Sequence, residues 1–460
     1  MRQHAKPKKK KSHQRRRANE VMHPNAAGID IGAEESYVAV PEDRDEQPVR
    51  KFGCFTEDLH ALANWLTQCD VDTVAMESTG VYWVPLFQVL ESRGFQVYLV
   101  NARHVKNVPG RKSDVSDCQW LQQLHSFGLL AASFRPDDEI CVLRSYWRHR
   151  DNLIRYAAAH VQHMQKALEL MNVQLHKVIS DVTGVTGLRI IDAILDGERD
   201  RLKLANLKDP RIRSSADCIA KALEGDYRPE HLFALRQAVE TYRFYQQQID
   251  QCNLQVDQYL STLESKVDLQ DQPLPPRASG RKKPQGNEPD FDLRAHLYRI
   301  SGVDFTQIEG LEALTVQTIL SEVGLDPSRF GSQKRFVSWL TLCPDNRITG
   351  GKVKGSSTRH VNNRAATAFR LSAQAVANSQ GPIGSFYRRM KARIGPAEAN
   401  TATAHKLARI FYCLWSNPAA YNPDLMKKHE QQNRQRTIDY LRKKANSLGL
   451  KLVPQAAAVQ

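Results

Sequence analysis

The hydrophobic and polar positions between residues 25 and 130 change period several times along the chain. Short apolar runs bounded by turn residues indicate strands, whereas apolar positions three or four apart indicate helices. A short turn at residues 32–35 separates the first two strands, which predicts a hairpin. The predicted strands are residues 27–31, 37–40, 51–55, 71–76 and 95–100, and the predicted helices are residues 59–66 and 82–93. A hairpin followed by a β-α-β unit predicts a mixed α/β fold.

Two longer stretches keep a helical period throughout. From about residue 140 to residue 178, and again in residues 232–259, apolar side chains recur every three or four positions. Such a seam is typical of a long helix packed on a partner helix. We predict that the two stretches form the arms of an antiparallel coiled-coil stalk, and the pattern leaves open whether the stalk also dimerises.

The rest of the chain divides by composition. A segment rich in Pro, Gly, Arg and Lys predicts a linker, and helical patterns follow it. Within them, residues 308–324 resemble a helix-hairpin-helix element, whose backbone amides hold a phosphate. The predicted divisions are a disordered basic tail (1–23), an α/β domain (24–135), the stalk (136–268), the linker (269–292), a helical domain (293–425) and a basic C-terminal helix and tail (426–460).

Charge indicates the kind of partner. The chain carries 65 Lys and Arg against 50 Asp and Glu, a formal charge of +15, with a pI near 9.4. Nine of the basic residues lie within residues 1–17, which contain no acid. Because each neutralised phosphate releases counterions, this balance favours a nucleic acid as the partner.

Cysteine usage and hydropathy indicate the cellular compartment in which the protein is expected. The eight cysteines form no C-x-x-C pair, so we expect neither a zinc site nor a disulfide framework. No apolar run approaches the ~20 residues of a membrane span, and the basic start lacks the apolar segment of a signal peptide. We therefore expect no membrane association and a prokaryotic cytoplasm, at the nucleoid.

Four acidic residues are candidates for a metal site. Asp30 lies inside the first predicted strand, where a charge is costly to bury without a partner or an ion, and Glu77 follows the fourth strand. Asp114 and Asp117 are three residues apart, on one face if a helix begins there. Two-metal phosphoryl transfer needs acidic oxygens around two Mg²⁺ ions about 4 Å apart. The set predicts a site of the RuvC-like type on a ribonuclease H-like fold.

Two basic clusters accompany these acids. One precedes the pair at 114 and 117, and the other surrounds a glycine-rich loop, where the backbone of glycine can approach a ligand closely. Both are compatible with a solvated surface, but on a basic protein they favour phosphate contacts. The candidate nucleic-acid-binding residues are Arg103, Lys106, Arg111, Lys112, Arg347, Lys352, Lys354, Arg359 and Arg364.

Together these segments resemble the DEDD-type insertion-sequence transposases, also described as bridge-RNA-guided recombinases. The matching segments are residues 28–32, 76–80, 111–117, 308–311 and 343–352, and the resemblance covers about residues 24–440. It implies a ribonuclease H-like domain with the metal acids, a helical stalk, and a transposase domain whose serine forms a phosphoserine link with DNA. It also implies a structured guide RNA that pairs with donor and target DNA, and a dimer or tetramer with composite sites.

The chain departs from the family at the nucleophile. Where the family has a serine before a glycine, this sequence has Thr349. A threonine hydroxyl is a competent nucleophile, although branching at Cβ makes the side chain stiffer. Ser356 and Ser357 are rivals, because a shift of a few residues in the loop would bring either into place. This register favours Thr349 over Ser356.

Three other functions compete with a transposase. A RuvC-like Holliday-junction resolvase uses the same four acids without a covalent step, but it needs no large basic domain after the linker. An actin-like sugar kinase or chaperone ATPase shares the segment at residues 28–32, but it needs a second phosphate loop that this sequence lacks. Four intact acids disfavour a guide-RNA-binding scaffold with a dead site. The sequence therefore predicts an RNA-guided, Mg²⁺-dependent DNA transposase.

Overall fold

A computed structural model describes residues 21–78, 80–101, 114–277, 286–359, 362–451 and 453. The chain divides into two compact units, Met1–Arg135 and Pro136–Gln460, and each has its own buried core. None of the helices in the described part of the chain has both the length and the apolar character that a membrane span needs.

The first unit is built on a five-stranded mixed sheet. Its strands are β1 (Ala26–Ile31), β2 (Glu35–Ala39), β3 (Val49–Gly53), β4 (Thr73–Glu77) and β5 (Gln96–Val100). The strand order is β3-β2-β1-β4-β5; the first three strands pair antiparallel, whereas β4 is parallel to both β1 and β5. The predicted hairpin and the mixed α/β fold are confirmed.

Helices cover both faces of this sheet. Side chains alternate between the faces of a strand, so Ile29 and Met76 lie in the core formed with α1 (Thr56–Gln68) and α2 (Trp83–Ser92). On the opposite face lies α3 (Asp114–Ser126), where Leu121 packs with Val100. Near its end, His125 Nε2 lies 2.8 Å from Thr73 Oγ1 of β4. The first unit is therefore a three-layer structure, with α3 alone among the described helices on the second face.

The second unit contains two long helices, α4 (Asp138–Leu170) and α8 (Pro229–Thr262). They run antiparallel, because Tyr146 contacts Tyr259 at one end and Tyr156 contacts Tyr245 further along. Both predicted arms are helical. The first arm is shorter than predicted, since it ends before residue 178: Asn172 adopts a left-handed φ of 56°, which stops the helix.

Three short helices pack at the end of this pair. They are α5 (Val185–Leu195), α6 (Arg201–Ala205) and α7 (Ala216–Ala222). Ile190 and Ile191 of α5 share a buried core with Leu168 of α4 and Val239 of α8. The two long helices and the short ones therefore form one packed body, which we call the stalk.

The remainder of the second unit is helical apart from one hairpin. The buried rings of Phe305 and Phe336 both stack with that of Phe411 in its core. Its elements are α9 (Leu293–Ser301), α10 (Ala313–Val323), α11 (Gln333–Trp339), β6 (Arg347–Thr349), β7 (Lys352–Gly355), α12 (Arg364–Ala375), α13 (Pro382–Ile394), α14 (Pro396–Ser416) and α15 (Asp424–Ser447). We call residues 293–416 the helical body.

The stalk is joined to the helical body by specific polar contacts at its base. Arg148 of α4 donates from Nε and Nη2 to Glu322 at 2.8 and 2.6 Å, and Trp147 Nε1 donates to Thr318 at 3.0 Å. The described parts of the predicted linker are also attached, because the buried Arg150 guanidinium donates to the carbonyl of Asn287. These contacts hold the base of the stalk against the helical body.

Candidate functional site

Four carboxylates were singled out from the sequence, and the structure gives each an element. Asp30 and Glu77 lie on the neighbouring parallel strands β1 and β4, while Asp114 and Asp117 occupy the first turn of α3. We call these four residues the acid set. Because Ile29 and Met76 point into the core with α1 and α2, the side chains that follow them point to the face that α3 covers. All four acids therefore belong to one side of the sheet.

Gly28 sets the distance between α3 and β1. A Cβ at this position would lie 2.2 Å from the backbone nitrogen of Gln122 and 2.3 Å from the carbonyl oxygen of Cys118. No other residue permits so close an approach of helix backbone to strand backbone. The glycine thereby fixes the amino end of α3 beside the strand that carries Asp30.

The charges of three members of the acid set influence two neighbouring side chains, Cys118 and Tyr37. Burial, with smaller contributions from the charges of Asp30 and Asp117, raises the pKa of the Cys118 thiol to about 12. Tyr37, which pairs with Asp30 in the β1–β2 register, has a raised pKa, chiefly because its hydroxyl donates to Glu35 and partly because of Asp114. Three acids from two elements thus act on adjacent side chains.

The donor chemistry of the acid set fits a divalent cation. Carboxylate oxygens are the ligands that Mg²⁺ prefers in proteins. Within the described ranges, no three His, Cys, Asp or Glu side chains lie close enough together to hold an ion. Neighbouring carboxylates repel one another unless a cation lies between them.

The basic cluster before α3 falls outside the described residues. This applies to Arg103, Lys106, Arg111 and Lys112, and to Ser113, the predicted cap of α3. Their contact with phosphates stays a prediction.

Thr349 lies at the tip of the β6–β7 hairpin. It pairs with Lys352 across a two-residue turn in which Gly350 and Gly351 have φ of 57° and 76°. Positive φ at both central positions is the requirement of a type I′ turn, which glycine meets without strain. The Thr349 side chain is exposed, as are those of Lys352 and Lys354. This hydroxyl therefore lies at an open, uncrowded tip. The side chain of Arg347 lies outside the described part of the structure.

Ser356 lines a cleft of about 970 Å³ in the helical body. Residues 356–358 line one part of it, and α14 lines another part with His405, Lys406 and Arg409. We call this feature the α14 cleft. Its α14 residues were not predicted from the sequence, although polar positions at 398, 401, 405 and 409 recur at helical spacing.

Two of the predicted phosphate-binding arginines have partners within the protein. Arg359 donates to the Ser338 carbonyl at 2.8 Å, and Arg364 pairs with Asp151 at 3.2 Å. Burial raises the pKa of Asp151, and the charge of Arg364 opposes this effect. Part of the hydrogen-bonding capacity of both arginines is therefore used to hold the loop and α12 in place.

The segment at residues 308–311 also has a role within the protein. The Glu309 carboxylate accepts hydrogen bonds from the backbone nitrogens of Ile383 at 3.0 Å and Gly384 at 3.3 Å, in the first turn of α13. Gly310 has a φ of 89°, and a Cβ there would lie 2.4 Å from Val376 Cγ1. Glu309 therefore caps α13; the helix-hairpin-helix assignment stays a prediction.

Comparison with known families gives two matches. Residues 27–173 match the family model described as DEDD_Tnp_IS110, a transposase, and residues 304–388 match the one described as the transposase IS116/IS110/IS902 family. No curated protein matches the chain. The first match contains the whole acid set, and the second contains both Thr349 and Ser356.

Proposed function

Because the chain belongs to the DEDD-type IS110 family of transposases and is thus a DNA-acting enzyme, we propose that it cleaves and rejoins donor and target DNA strands with Mg²⁺ held by the acid set. The observation that carries this proposal is the gathering of acids from β1, β4 and α3 on one side of the sheet. Two ions, when bound, supply charge stabilisation for the attacking and leaving oxygens of a phosphodiester.

The protein's own residues have distinct parts in this proposal. Asp30 and Glu77 are mounted on adjacent strands, so their separation is fixed by the sheet. Asp114 and Asp117 are mounted on α3, whose position depends on Gly28. Rigid elements hold ligands with the accuracy that a phosphoryl-transfer site needs.

We infer a covalent step in which a hydroxyl attacks the DNA phosphorus. The Oγ–P bond forms, the P–O bond to the departing strand breaks, the hydroxyl proton passes to solvent or a neighbouring base, and the departing oxygen takes up a proton. The open hairpin tip favours Thr349, because two glycines leave space for a DNA backbone. The cations of the α14 cleft favour Ser356. Both hydroxyls are therefore tested.

We also propose the partners that the resemblance implied. A structured guide RNA would pair with donor and target DNA, and two or four copies of the chain would combine their acid sets and hydroxyls, with the stalk acting as a coiled coil. The formal charge of +15 supports a large polyanionic partner. The basic side chains at 103, 106, 111, 112, 347, 352, 354, 359 and 364 would contact phosphates, at the nucleoid.

Strand joining by purified protein tests the metal site. The protein is incubated with its flanking RNA, donor and target DNA and Mg²⁺, and joined product is quantified. Asp30→Ala should lower the joining rate at least 100-fold, whereas Glu34→Ala, which removes an exposed acid of the adjacent turn, should leave it unchanged. Undiminished joining by Asp30→Ala would show that the acid set is not the metal site.

Covalent trapping tests the hydroxyl. Denaturing electrophoresis with labelled donor DNA should show an adduct that is lost either in Thr349→Ala or in Ser356→Ala but not in Ser357→Ala. Cleavage without any adduct would instead indicate a resolvase, which uses the same acids and water. An adduct that survives in both variants would place the nucleophile elsewhere.

A further inference from the structure

The α14 cleft combines cationic and apolar surfaces in one concave site. Its volume of about 970 Å³ lies within the range of about 300–1,000 Å³ typical of small-molecule pockets. Pro344, Phe386 and Ile394 give it apolar surface, and Lys406 and Arg409 give it positive charge, against one acid, Glu398. A ligand that fits this lining has a flat apolar part and an anionic part.

Neighbouring contacts hold both cations in place. The Lys406 ammonium lies 4.1 Å from the centre of the Phe386 ring, a cation–π contact. Arg409 Nε donates to Gln333 Oε1 at 3.1 Å, while Gln333 Nε2 donates back to the Arg409 carbonyl at 2.9 Å. Cations fixed before a ligand arrives lose less entropy on binding it.

The cleft is also lined by three consecutive residues with hydroxyl groups, Ser356, Ser357 and Thr358, and contacts with Asp345 and Pro344 hold their backbone in place. The backbone nitrogen of Asp345 donates to the carbonyl of Ser357 at 2.9 Å, and Thr358 forms an isolated bridge with Pro344. A hydroxyl both donates and accepts hydrogen bonds, so this row suits phosphate oxygens as well as the edge of a base.

His405 of α14 also lines the cleft. Burial lowers its pKa, and the positive charge of Arg409 lowers it further. The imidazole therefore stays neutral at neutral pH, with one donor nitrogen and one acceptor nitrogen. A neutral imidazole adds hydrogen bonding beside the two cations without adding a third charge.

We propose that the α14 cleft is a binding site for one unpaired nucleotide of a DNA strand. Its phosphate contacts Lys406 and Arg409, and its base lies against the apolar surface formed with Phe386 and Ile394. The proposal rests on the proposed function, because a bound strand would pass along the wall that holds Ser356. The cleft thus positions an unstacked nucleotide, as sites that combine cations with apolar platforms do for single strands.

The experiment uses the full chain with thymidine 3′,5′-bisphosphate, thymidine and inorganic phosphate as separate probes. Hydrogen exchange of residues 397–409 reports binding at the cleft itself. We expect the bisphosphate to protect these amides, with a Kd at least tenfold lower than that of either thymidine or phosphate. Equal affinity for phosphate and bisphosphate, or no protection by millimolar bisphosphate, would overturn the proposal.

Paired variants locate the contact. Lys406→Gln combined with Arg409→Gln should weaken bisphosphate binding at least tenfold, while the matched double variant Arg213→Gln with Lys221→Gln, two exposed cations of the stalk, should bind as wild type. Equal binding by both double variants would overturn the proposal. Circular dichroism establishes that each variant is folded.

The proposal of a nucleotide site and the proposed function can be disproved independently of each other. Binding of the bisphosphate needs neither Mg²⁺ nor the acid set, so Asp30→Ala should bind it with unchanged Kd. If strand joining proves not to depend on the acid set while this binding persists, only the proposed function is lost. If joining depends on the acid set but residues 397–409 are never protected, only the cleft proposal is lost.

Discussion

Gly28 is the residue on which the position of the acid set most directly depends. Its missing side chain allows the backbone of α3 to lie against β1, and a Cβ would overlap two backbone atoms at 2.2 and 2.3 Å. Backbone atoms of a helix cannot rotate away as a flexible side chain can. A larger residue at position 28 would therefore displace α3, together with Asp114 and Asp117.

Gly28→Ala should lower both the rate of strand joining and the stability of the first unit. We expect the strand-joining rate to fall at least tenfold and the unit to lose about 2 kcal/mol of stability, because overpacking forces backbone shifts. Joining assays and urea unfolding measure the two effects. Gly286→Ala, where an added Cβ meets open space, is the control and should change neither. Wild-type joining by Gly28→Ala would show that the position of α3 is immaterial.

His125 gives the first unit a pH-dependent stability. The ring is fully buried near the end of α3, and burial, with a further contribution from His23, lowers its pKa from 6.5 to about 4. A folded-state pKa below the unfolded value means that the unfolded state binds the proton more readily, so stability is complete above pH 6.5 and declines as pH falls toward 4. The difference corresponds to about 3 kcal/mol.

Unfolding between pH 4 and pH 7.5 measures this dependence. The urea midpoint of the first unit should fall with pH in the wild type, and fall less steeply in His125→Gln, which keeps a polar partner for Thr73 without titrating. His60→Gln, an exposed histidine of α1, is the control and should follow the wild type. Identical slopes in all three proteins would rule out His125 as the cause.

The residue types of the acid set could be identified from the sequence, but their approach to one another could not. Asp30 stood out because a charge in an apolar strand is costly. The role of Gly28 depends on which helix crosses β1, and α3 lies nearly ninety residues later in the chain. Local patterns carry no information about that pairing. The same holds for His405, which lines the α14 cleft together with residues 356–358 of a separate segment.

At the scale of elements, helix capping links distant segments of the helical body. Glu309 accepts hydrogen bonds from two backbone nitrogens in the first turn of α13, more than seventy residues later. A carboxylate at this end also interacts favourably with the helix dipole. The segment before α10 therefore determines where α13 begins.

Glu309→Ala should lower the stability of the helical body by about 1 kcal/mol, the usual cost of losing an N-terminal cap. Glu309→Gln, which keeps an accepting oxygen, should lose roughly half as much. Glu264→Ala removes an exposed acid and serves as the control. Thermal unfolding compares the three, and equal melting temperatures would show that the cap contributes nothing.

The positions of most strands and long helices were predictable because their periodicity is set by burial on one face. Predicted strands at residues 71–76 and 95–100 correspond to β4 and β5, with ends that differ by one or two residues. The end of α4 was not predictable, because apolar residues beyond it keep the same spacing while filling the core at the stalk's end. Those residues are buried without being part of the helix, yet their apolar spacing is the same as that of a helix.

At the scale of the whole molecule, the chain forms two units with separate cores. Within the second unit, a partly buried ion pair joins the base of the stalk to the helical body. The Glu322 side chain is 11% exposed and receives two hydrogen bonds from Arg148. Removal of the arginine would leave a largely buried carboxylate without this partner.

Arg148→Ala should therefore destabilise the second unit by about 2 kcal/mol. The control is Arg243→Ala, which breaks the exposed pair with Asp192 on the stalk and should cost less than about 1 kcal/mol. Urea unfolding distinguishes the two variants. Equal losses would indicate that the pair at the base behaves as an ordinary surface ion pair.

The fastened base has a mechanical consequence. With 33 residues, α4 is about 50 Å long at a rise of 1.5 Å per residue. The contacts at the base extend to Asp151, and α4 continues from there for about 30 Å to Leu170. A rod anchored at one end amplifies rotation, so a tilt of about 5° at the anchorage would carry the far end through roughly 3 Å, close to the spacing of successive base pairs along a duplex. The three small helices at the far end would therefore be displaced by a change of angle that hardly moves the residues at the base of the stalk.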